Sequence, residues 1–500
     1  MGDGMNIFLG KKKRLYILFT MFLFTVYAGL VIFLMFYHEP WRDEADAWLL
    51  ARDNSLFGIL GLMRYAGTPC LWYLMLAPLA KIGLPYAAEF YLHTAIAIIA
   101  VGIFLRFAPF PLPIKVLFIF SFHMSFIYAI IARSYCVGIL LLFSVASLYP
   151  KRFHRPTLYG LLVLSLFNIN VHSAIIAGTL LLIYAWELFY LKCASRETFV
   201  GLLIMFLGMA VTLVQLWPPP DDQFSGSFVL RHDPSIIKTM ICSAFAPGID
   251  QVIGFLLGLA VIITSLVVWL RTPVSIFVFI VTFTLYSYII IFKWSGGTRH
   301  YGLLLIALVF CHWISAHYYT GQSILAACKS ISTNWFDKVR IIQFALLMVS
   351  LFFPCYMAIN EWKREIQYDF SGAKEMAKYI IENNLDAYTI AAHKAPYAAA
   401  VLPYLRTKQF WYPAEERYGS NMLWNANYRK CLNVSYPVAL DRIKKNFPDR
   451  SHVLVLLNQN LSNPQYHGLK LLYSTREYGL LNSDERFFLY KFLPTVQSRP

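Results

Sequence analysis

Long apolar runs recur through the first 360 residues of the chain and are separated by short polar segments. A run of about 18 or more apolar residues can cross the hydrocarbon core of a bilayer as a helix. By this criterion the sequence predicts about eleven spans, at residues 15–37, 88–106, 114–132, 135–150, 157–171, 173–190, 198–217, 251–270, 273–292, 300–318 and 340–359. The pattern therefore predicts a polytopic α-helical membrane protein.

The apolar pattern ends near residue 361, where a mixed polar composition begins. Segment 371–384 has helical spacing after a serine, and segment 439–447 has the same period. Short runs rich in β-branched or other apolar residues, typical of strands, occupy 387–393, 451–458 and 486–493. We therefore predict a membrane domain at 1–360 and a small α/β domain at 361–500.

The overall composition agrees with this division, because 58% of the residues are hydrophobic and only 14% are charged. Soluble domains have close to a quarter of their residues charged. The eight cysteines lie mostly within apolar runs, without C-x-x-C or Cys/His spacing. The sequence therefore predicts no metal site and no disulfide framework, and nothing in it suggests a cofactor. The first apolar run is too long for a signal peptide, so we predict an uncleaved span.

The net charge of +16 does not indicate a nucleic-acid partner, because the basic residues are scattered between the spans rather than gathered in a stripe. They fit the excess of lysine and arginine in cytoplasmic loops. The run "KKKR" at 11–14 precedes the first span and predicts a cytoplasmic N-terminus. Alternation then places the first loop, 38–87, and the α/β domain 361–500 on the exoplasmic side.

The first loop contains an unusual acidic cluster in the stretch "WRDEADAWLLARD". Its apolar residues follow helical spacing, at Trp41, Ala45, Trp48 and Leu49. Its acidic residues Asp43, Asp46 and Asp53 fall on another face. The spacing predicts a short amphipathic helix at the membrane surface, with tryptophan at the interface. The ordinary alternative is a solvated acidic face with Arg42 and Asp46 as a simple helical ion pair.

Other predicted exoplasmic turns also carry polar side chains, namely Arg133, His172, Arg299, His300 and Tyr301. A single charged residue near the end of a span often only reaches toward the membrane interface. Carboxylates, arginines and histidines on one side of a helical bundle can together bind a phosphate and deprotonate a hydroxyl. We therefore treat these turns and the first loop as candidate parts of one site.

Five segments, in order, resemble motifs of the GT-C superfamily of membrane glycosyltransferases, in the branch of protein O-mannosyltransferases and aminoarabinose transferases. The segments are "RDEADAWLLAR" (42–52), "RYAGTPCLWYLML" (64–76), "ARSYCVGILLLFSVASLY" (132–149), "NVHSAIIAGTLLLIY" (170–184) and "TRHYGLLLIAL" (298–308). The chain departs from the family pattern where Pro69-Cys70 replaces a doubled proline, where Thr68 replaces a basic residue, and where His300 interrupts an Arg-Tyr pair.

The resemblance implies a GT-C fold and the transfer of a sugar from a polyprenyl-phosphate carrier to an acceptor hydroxyl, with inversion. The bilayer and the lipid-linked donor are then partners, and the acceptor is a protein, a lipid or a polysaccharide. It also implies an exoplasmic site, in a bacterium the outer side of the inner membrane, and neither a metal nor a cofactor.

The resemblance further suggests roles for individual residues. Asp43 would be the base, and Glu44 would orient the loop or hold an acceptor group. Arg133 and Arg299 would bind the departing phosphate. Tyr65 and His300 would donate hydrogen bonds to that phosphate, with further candidates at Asp46, Arg52, Tyr135, His172 and Tyr301.

Three other functions are compatible with parts of the pattern. A transporter or flippase of a lipid-linked or anionic solute would also need charges in the membrane, but near its midplane and often in two related halves. A polymerase or ligase of polyprenyl-linked sugars would use a large late loop, for which 218–250 is the candidate. A structural scaffold would explain the spans and leave the polar groups without a role.

Overall fold

A computed structural model describes residues 2–222, 233–320 and 333–493. Its helices are α1 (Gly2–Tyr37), α2 (Arg42–Asp53), α3 (Leu56–Ala66), α4 (Leu71–Lys81), α5 (Ala87–Phe107), α6 (Leu112–Ile119), α7 (Ser134–Leu148), α8 (Pro156–Phe167), α9 (Val171–Tyr190), α10 (Arg196–Leu216), α11 (Ile236–Phe245), α12 (Gln251–Val268), α13 (Pro273–Phe292), α14 (Thr298–Thr320), α15 (Thr333–Gln367), α16 (Ala373–Glu382), α17 (Ala395–Ala398), α18 (Ala426–Leu432) and α19 (Tyr436–Asn446). Its strands are β1 (Thr389–His393), β2 (Phe410–Tyr412), β3 (Arg417–Gly419), β4 (Val453–Leu457), β5 (Leu469–Ser474) and β6 (Phe488–Phe492).

Within these residues, nine helical segments are long and apolar enough to cross a membrane. They are Arg14–Tyr37, Ala87–Phe107, Ser134–Lys151, Val171–Tyr190, Arg196–Leu216, Gln251–Arg271, Pro273–Phe292, Thr298–Tyr318 and Trp335–Gln367. The protein is therefore a polytopic helical membrane protein with a C-terminal α/β domain, as the sequence predicts.

Two of the eleven predicted spans, 114–132 and 157–171, are shorter in the structure. In the first, α6 ends at Ile119 and a π-helical turn follows at His123–Ile127. The Ser121 hydroxyl there donates to the Phe118 carbonyl at 2.7 Å, and such side-chain bonds compete with the helical backbone. In the second, α8 has only 12 residues, and Asn170 starts a new helix by accepting a bond from the Ser173 amide at 2.8 Å.

The chain divides into two compact units. The first, here called the membrane unit, comprises Met1–Phe36, Leu92–Val214 and Gly226–Trp362. The second, here called the loop–sheet unit, comprises Tyr37–Tyr91, Gln215–Ser225 and Lys363–Pro500. The first loop therefore packs with the C-terminal domain, although the sequence alone suggests grouping it with the spans.

Helix α14 is the most buried helix of the membrane unit. In its apolar stretch 83% of the residues are buried, against 39% in the stretch that contains α12. Gly302 lets α14 approach the π-helical turn, because a Cβ at this position would overlap the ring of His123 and the hydroxyl of Tyr128. The approach places the first turn of α14 beside the polar residues of that turn.

The loop–sheet unit contains a six-stranded sheet with the order β3-β2-β1-β4-β6-β5. Strand β1 is parallel to both β2 and β4, whereas the remaining pairs are antiparallel. Apolar residues of α19 and of the central strands form the core on one face, including Leu440, Ile443, Val455 and Tyr490. Strand β2 lies on one side of β1 and strand β4 lies on the other. The loop at the carboxyl end of β1 therefore lies at a switch point of the sheet, where it can contact other segments.

Helix α2 of the first loop is buried within the loop–sheet unit. Trp48, Leu49 and Leu50 are 2%, 0% and 3% exposed, and α2 packs against α4 and against α17. The predicted helix is therefore present, but Trp48 lies in a protein core and not at a membrane interface. The reason is that α4 and the C-terminal domain cover the apolar face that the sequence suggested would meet lipid.

Candidate functional site

The first loop is fixed by a buried histidine between two carboxylates. His38 follows the first span, and its Nδ1–H donates to Glu365 at 2.6 Å. Its Nε2–H lies 3.1 Å from both oxygens of Glu44, which is completely buried. Burial alone would lower the pKa of His38, but Glu44 and Glu365 raise it to about 10. The imidazole is therefore positively charged near neutral pH and joins α2 to the end of α15.

Glu44 also caps the start of α2, because the backbone amide of Trp41 donates to its Oε2 at 3.2 Å. This bond holds the first turn of α2 to the carboxylate of Glu44. Such a fully buried and bonded carboxylate is unsuited to contact an acceptor. The sequence contains only a weak signal for this arrangement, since His38 stands directly after the first span while Glu365 lies hundreds of residues away.

Asp43 lies in the first turn of α2 and its side chain is 23% exposed. The Nε of Arg42 is 3.9 Å from its Oδ1, and the Arg42 guanidinium lies 4.5 Å from the ring centre of Tyr397. The backbone amide of Arg42 donates to Oε1 of Glu485 at 3.2 Å. Burial raises the pKa of Glu485 to about 7. The start of α2 is thus held by the C-terminal domain while the Asp43 carboxylate stays accessible.

The other predicted residues of this unit bind neighbouring segments. Asp46 accepts a hydrogen bond from the Met422 amide at 3.2 Å. Arg52 makes two bonds to Asp53, at 2.7 and 2.9 Å, and donates to the Lys408 carbonyl at 2.9 Å. Each of these contacts connects or stiffens the loop.

Tyr65 follows the same pattern, since its hydroxyl donates to Asp221 at 2.9 Å. This bond raises the pKa of Tyr65. The Asp221 backbone carbonyl in turn accepts a bond from the Ala426 amide at 2.7 Å. Tyr65 therefore connects the first loop to the segment after α10.

The second group of predicted residues lies in the membrane unit, at the starts of three helices. Arg133 immediately precedes α7, His172 lies in the first turn of α9, and Arg299 and His300 lie in the first turn of α14. The Tyr135 hydroxyl is 2.7 Å from Nε2 of His300. We call these five residues the arginine–histidine cluster.

The five residues lie close to one another. The rings of His172 and His300 are 5.6 Å apart, and His172, Arg299 and Arg133 are all near enough to act electrostatically on His300. The N-terminus of a helix carries partial positive charge and unpaired amide groups, so converging helix starts favour an anion. Together with two arginines, they can bind a phosphate.

Aromatic residues that sequence reasoning missed enclose this cluster. The ring of Trp294 is 4.5 Å from that of His300, and the ring of Tyr286 is 4.8 Å from that of His172. The Tyr128 hydroxyl donates to the carbonyl of Arg299 at 2.7 Å. Tyr301, a predicted candidate, donates instead to the Ser295 carbonyl at 2.6 Å and orders the turn before α14.

The predicted site residues are thus divided between the two units, with the carboxylates in one and the arginine–histidine cluster in the other. Within 2–222, 233–320 and 333–493, no three His, Cys, Asp or Glu side chains are grouped as metal ligands. The available chemistry is therefore that of a partly exposed carboxylate and of a basic cluster surrounded by aromatic rings.

The fold is one of many apolar helices followed by a small α/β domain. One solved structure with a similar fold is that of ArnT from Cupriavidus metallidurans bound to undecaprenyl phosphate, which aligns with a TM-score of 0.53 at 10% identity, over 98% of this chain and 99% of ArnT. No family model and no curated protein matches the chain. At this identity the likeness concerns the fold, and it confirms the resemblance to ArnT-like GT-C proteins.

Proposed function

We propose that the protein is a glycosyltransferase that moves a sugar from a polyprenyl-phosphate carrier to an acceptor hydroxyl. The observation that carries the proposal is the arginine–histidine cluster, in which two arginines and three helix starts favour an anion at the end of membrane-spanning helices. The ArnT-like fold supports the same ligand class, because the ArnT structure holds undecaprenyl phosphate.

In the proposed reaction, Asp43 accepts the proton of the acceptor hydroxyl as its oxygen attacks the anomeric carbon of the sugar. The bond between that carbon and the carrier phosphate breaks, and polyprenyl phosphate leaves with the bonding electrons. Attack from the face opposite the phosphate inverts the anomeric configuration. Arg133 and Arg299 stabilise the charge that develops on the departing phosphate.

The remaining residues have supporting roles in this proposal. His300, fixed by Tyr135, donates to the phosphate, and His172 limits the position of that ring. Glu44 holds α2 through His38, so that Asp43 keeps its orientation. Asp46, Arg52 and Tyr65 keep the first loop attached to its neighbours.

We further propose that the N-terminus is cytoplasmic and the C-terminal domain exoplasmic, in the inner membrane of a bacterium. The first loop, the segment after α10 and the C-terminal domain share one compact unit, so they belong on one side. Eleven crossings, the number predicted from the sequence, put that side opposite the basic N-terminus.

Thiol labelling tests the orientation. Lys378 is exposed on α16 and Arg155 is exposed in a predicted cytoplasmic loop. A membrane-impermeant maleimide should label Lys378→Cys in spheroplasts and Arg155→Cys only after lysis. The reverse pattern would invert the proposed topology.

Carrier binding tests the function without knowledge of the sugar. A ligand at free concentration L that binds only the folded state stabilises it by RT ln(1 + L/Kd), so the unfolding temperature rises with ligand concentration. Polyprenyl phosphate should stabilise the purified protein, whereas a neutral polyprenol should not. Equal effects of the two lipids would contradict a phosphate site. A panel of labelled polyprenyl-phosphate sugars in liposomes, scored by release of polyprenyl phosphate, then identifies the donor.

A further inference from the structure

A second lipid-facing site lies in the membrane unit, away from the arginine–histidine cluster. A cavity of about 450 Å³ opens between α9 and α13. Its lining is mostly apolar and includes Leu182, Trp186, Val274 and Phe277. Arg271 and Tyr318 lie among its polar lining residues. Cavities of this size hold ligands of several hundred daltons.

The cavity lies at the far end of the helices that form the arginine–histidine cluster. It is lined by the last turns of α9, the first turns of α13 and the final residues of α14. His172 and His300 are in the first turns of α9 and α14. Leu182 is the lining residue of α9 nearest to His172, and a helix rises about 1.5 Å per residue, so about 15 Å separates the two along the axis, increasing to nearly 30 Å at the far end of α9. The cavity is therefore distinct from the proposed phosphate site.

The cavity is accessible from the outer surface of the bundle. Leu182, Trp186 and Phe277 are 58%, 48% and 41% exposed, and they lie on segments long and apolar enough to span the membrane. Exposed side chains on such segments contact lipid. The stacked rings of Trp186 and Tyr190, 4.9 Å apart, are typical of the membrane–water interface. A hydrocarbon chain can therefore enter laterally from the bilayer.

The charge at the cavity is positive. Arg271 is the one charged residue among the described lining residues, and its guanidinium lies 4.1 Å from the ring centre of Phe336. Behind the cavity wall, Tyr318 donates to Glu187 at 2.6 Å. That carboxylate is also bound by Arg152 at 2.8 and 2.9 Å. The negative charge of Glu187 is thus compensated by Arg152 and Tyr318, and none of the described residues that line the cavity is an Asp or a Glu.

We propose that this cavity binds one anionic phospholipid, with an acyl chain between α9 and α13 and its phosphate at Arg271. Basic pockets between helices at the cytoplasmic side of membrane proteins bind such headgroups. Under the orientation proposed above, this lipid belongs to the cytoplasmic leaflet, opposite the carrier phosphate. The binding itself depends neither on that orientation nor on transferase activity.

Native mass spectrometry of the purified protein in a mild detergent tests the proposal. The probes are phosphatidylglycerol, phosphatidylethanolamine and polyprenyl phosphate. The intact protein should retain one phosphatidylglycerol, in preference to phosphatidylethanolamine. Arg271→Ala should lower that affinity about ten- to hundredfold, because a charge-assisted contact is lost. Arg271→Lys should restore part of it.

Two further variants separate a built site from general attraction. Lys192 is an exposed cation just beyond α9 that does not line the cavity, so Lys192→Ala should leave retention unchanged. Val274→Trp fills the cavity without changing the charge, and it should displace the acyl chain. Equal lipid retention by Arg271→Ala and the unmodified protein would overturn the proposal. An equal loss of lipid retention in Lys192→Ala would also overturn it. The proposal would fail as well if polyprenyl phosphate displaced phosphatidylglycerol preferentially and if that displacement required Arg271.

Discussion

In the first loop each acidic side chain has a cationic or N–H partner: Glu44 binds His38, Asp46 binds the Met422 amide, and Asp53 binds Arg52. In the arginine–histidine cluster the imidazoles are held mainly by rings, with Trp294 against His300 and Tyr286 against His172. The contacts of the first loop depend on the charges of its side chains, whereas those of the imidazoles depend largely on the packing of rings.

The carboxylates of α2 also differ from one another in burial and in the distance to their partners. Within α2, the ion pair of Asp43 with Arg42 spans 3.9 Å, against 2.7 Å for Asp53 with Arg52. Asp43 is also partly exposed, while Glu44 is fully buried. A carboxylate that exchanges a proton with an acceptor must be within hydrogen-bond reach of that acceptor. Of the two, Asp43 is the one we propose as the base, and the buried Glu44 positions the loop.

The largest effect is expected at Asp43. Asp43→Asn keeps the size of the side chain but removes the proton acceptor, and loss of a general base typically lowers the rate 10²–10⁴-fold. The measurement is the turnover of a labelled polyprenyl-phosphate sugar in liposomes, with the folded fraction checked by size-exclusion chromatography.

Asp46 is the matched control for this substitution. In Asp46→Asn the amide oxygen can still accept the bond from the Met422 amide, so turnover should remain within about a factor of a few of the original, the usual range for a change within ±0.5 kcal/mol. If Asp46→Asn were the more damaging of the two, Asp43 would not be the base.

The second effect concerns the stability of the loop. Glu44→Ala leaves His38 with one carboxylate in a buried site, and breaking a buried ion pair costs about 3–5 kcal/mol. Glu39→Ala is the control, because Glu39 pairs with Lys374, which is 55% exposed, and surface pairs contribute about 0–1 kcal/mol. Thermal unfolding in detergent should show a large loss for Glu44→Ala alone; similar losses would show that the buried triad adds nothing.

The third effect is a loss of stability with rising pH in two windows. Burial raises the pKa of Glu485 from 4.5 to about 7, so its contribution is present below pH 4.5 and lost as the pH rises to about 7. The carboxylates of Glu44 and Glu365 overcome burial and raise the pKa of His38 from 6.5 to about 10, so its contribution is present below pH 6.5 and lost toward pH 10.

Substitutions assign the two windows. Glu485→Gln should flatten the unfolding temperature between pH 4.5 and 7 only, and His38→Gln should flatten it between pH 6.5 and 10 only. A profile that keeps both slopes in the double variant would show that other groups control the pH dependence.

A smaller effect is expected for the arginines. Arg133→Ala and Arg299→Ala should each weaken binding of polyprenyl phosphate about ten- to hundredfold, since a hydrogen bond to a charged group contributes about 1.5–3 kcal/mol. The readout is the ligand-induced rise in unfolding temperature. Lysine at either position should recover only part of the binding, because it lacks the planar fork of donors. Unchanged binding in both alanine variants would remove the phosphate from this cluster.

The smallest effect is expected for Tyr135→Phe, which removes the hydroxyl bonded to His300 and keeps the ring. The loss should be about 0.5–1.5 kcal/mol in stability or donor affinity. Trp294→Ala removes a ring contact and should have a larger effect if shape holds His300. The opposite order would show that the hydrogen bond, and not packing, fixes the imidazole.

The sequence predicted those features that depend on local pattern. Predicted strands 387–393, 451–458 and 486–493 correspond to β1, β4 and β6, and predicted helices 371–384 and 439–447 correspond to α16 and α19. The span periodicity and the helix over Arg42–Asp53 also follow from spacing within a few turns. Strands β2, β3 and β5 were not predicted. Strands β2 and β3 have only three residues each, and β5 alternates only weakly, so their sequences give little signal.

The features that were missed depend on contacts between distant segments. No local pattern pairs His38 with Glu365, or places Trp294 against His300 through a turn of irregular backbone. Likewise, the sequence suggested that the apolar face of α2 contacts lipid. In the structure that face is covered by α4 and by the C-terminal domain, which no local pattern in α2 reveals. Spacing identifies which face of a helix is apolar, but it does not identify the partner that covers that face.

The bond between His38 and Glu365 joins residues that are 327 positions apart. During synthesis at about 5–20 residues per second, roughly 15–65 seconds pass between the appearance of the first residue and that of the second. During that interval His38 and Glu44 are present without Glu365. The first loop therefore reaches its final structure only after the last span has been made. A chain truncated before Glu365 would contain every residue of the first loop but would lack the bond that holds His38.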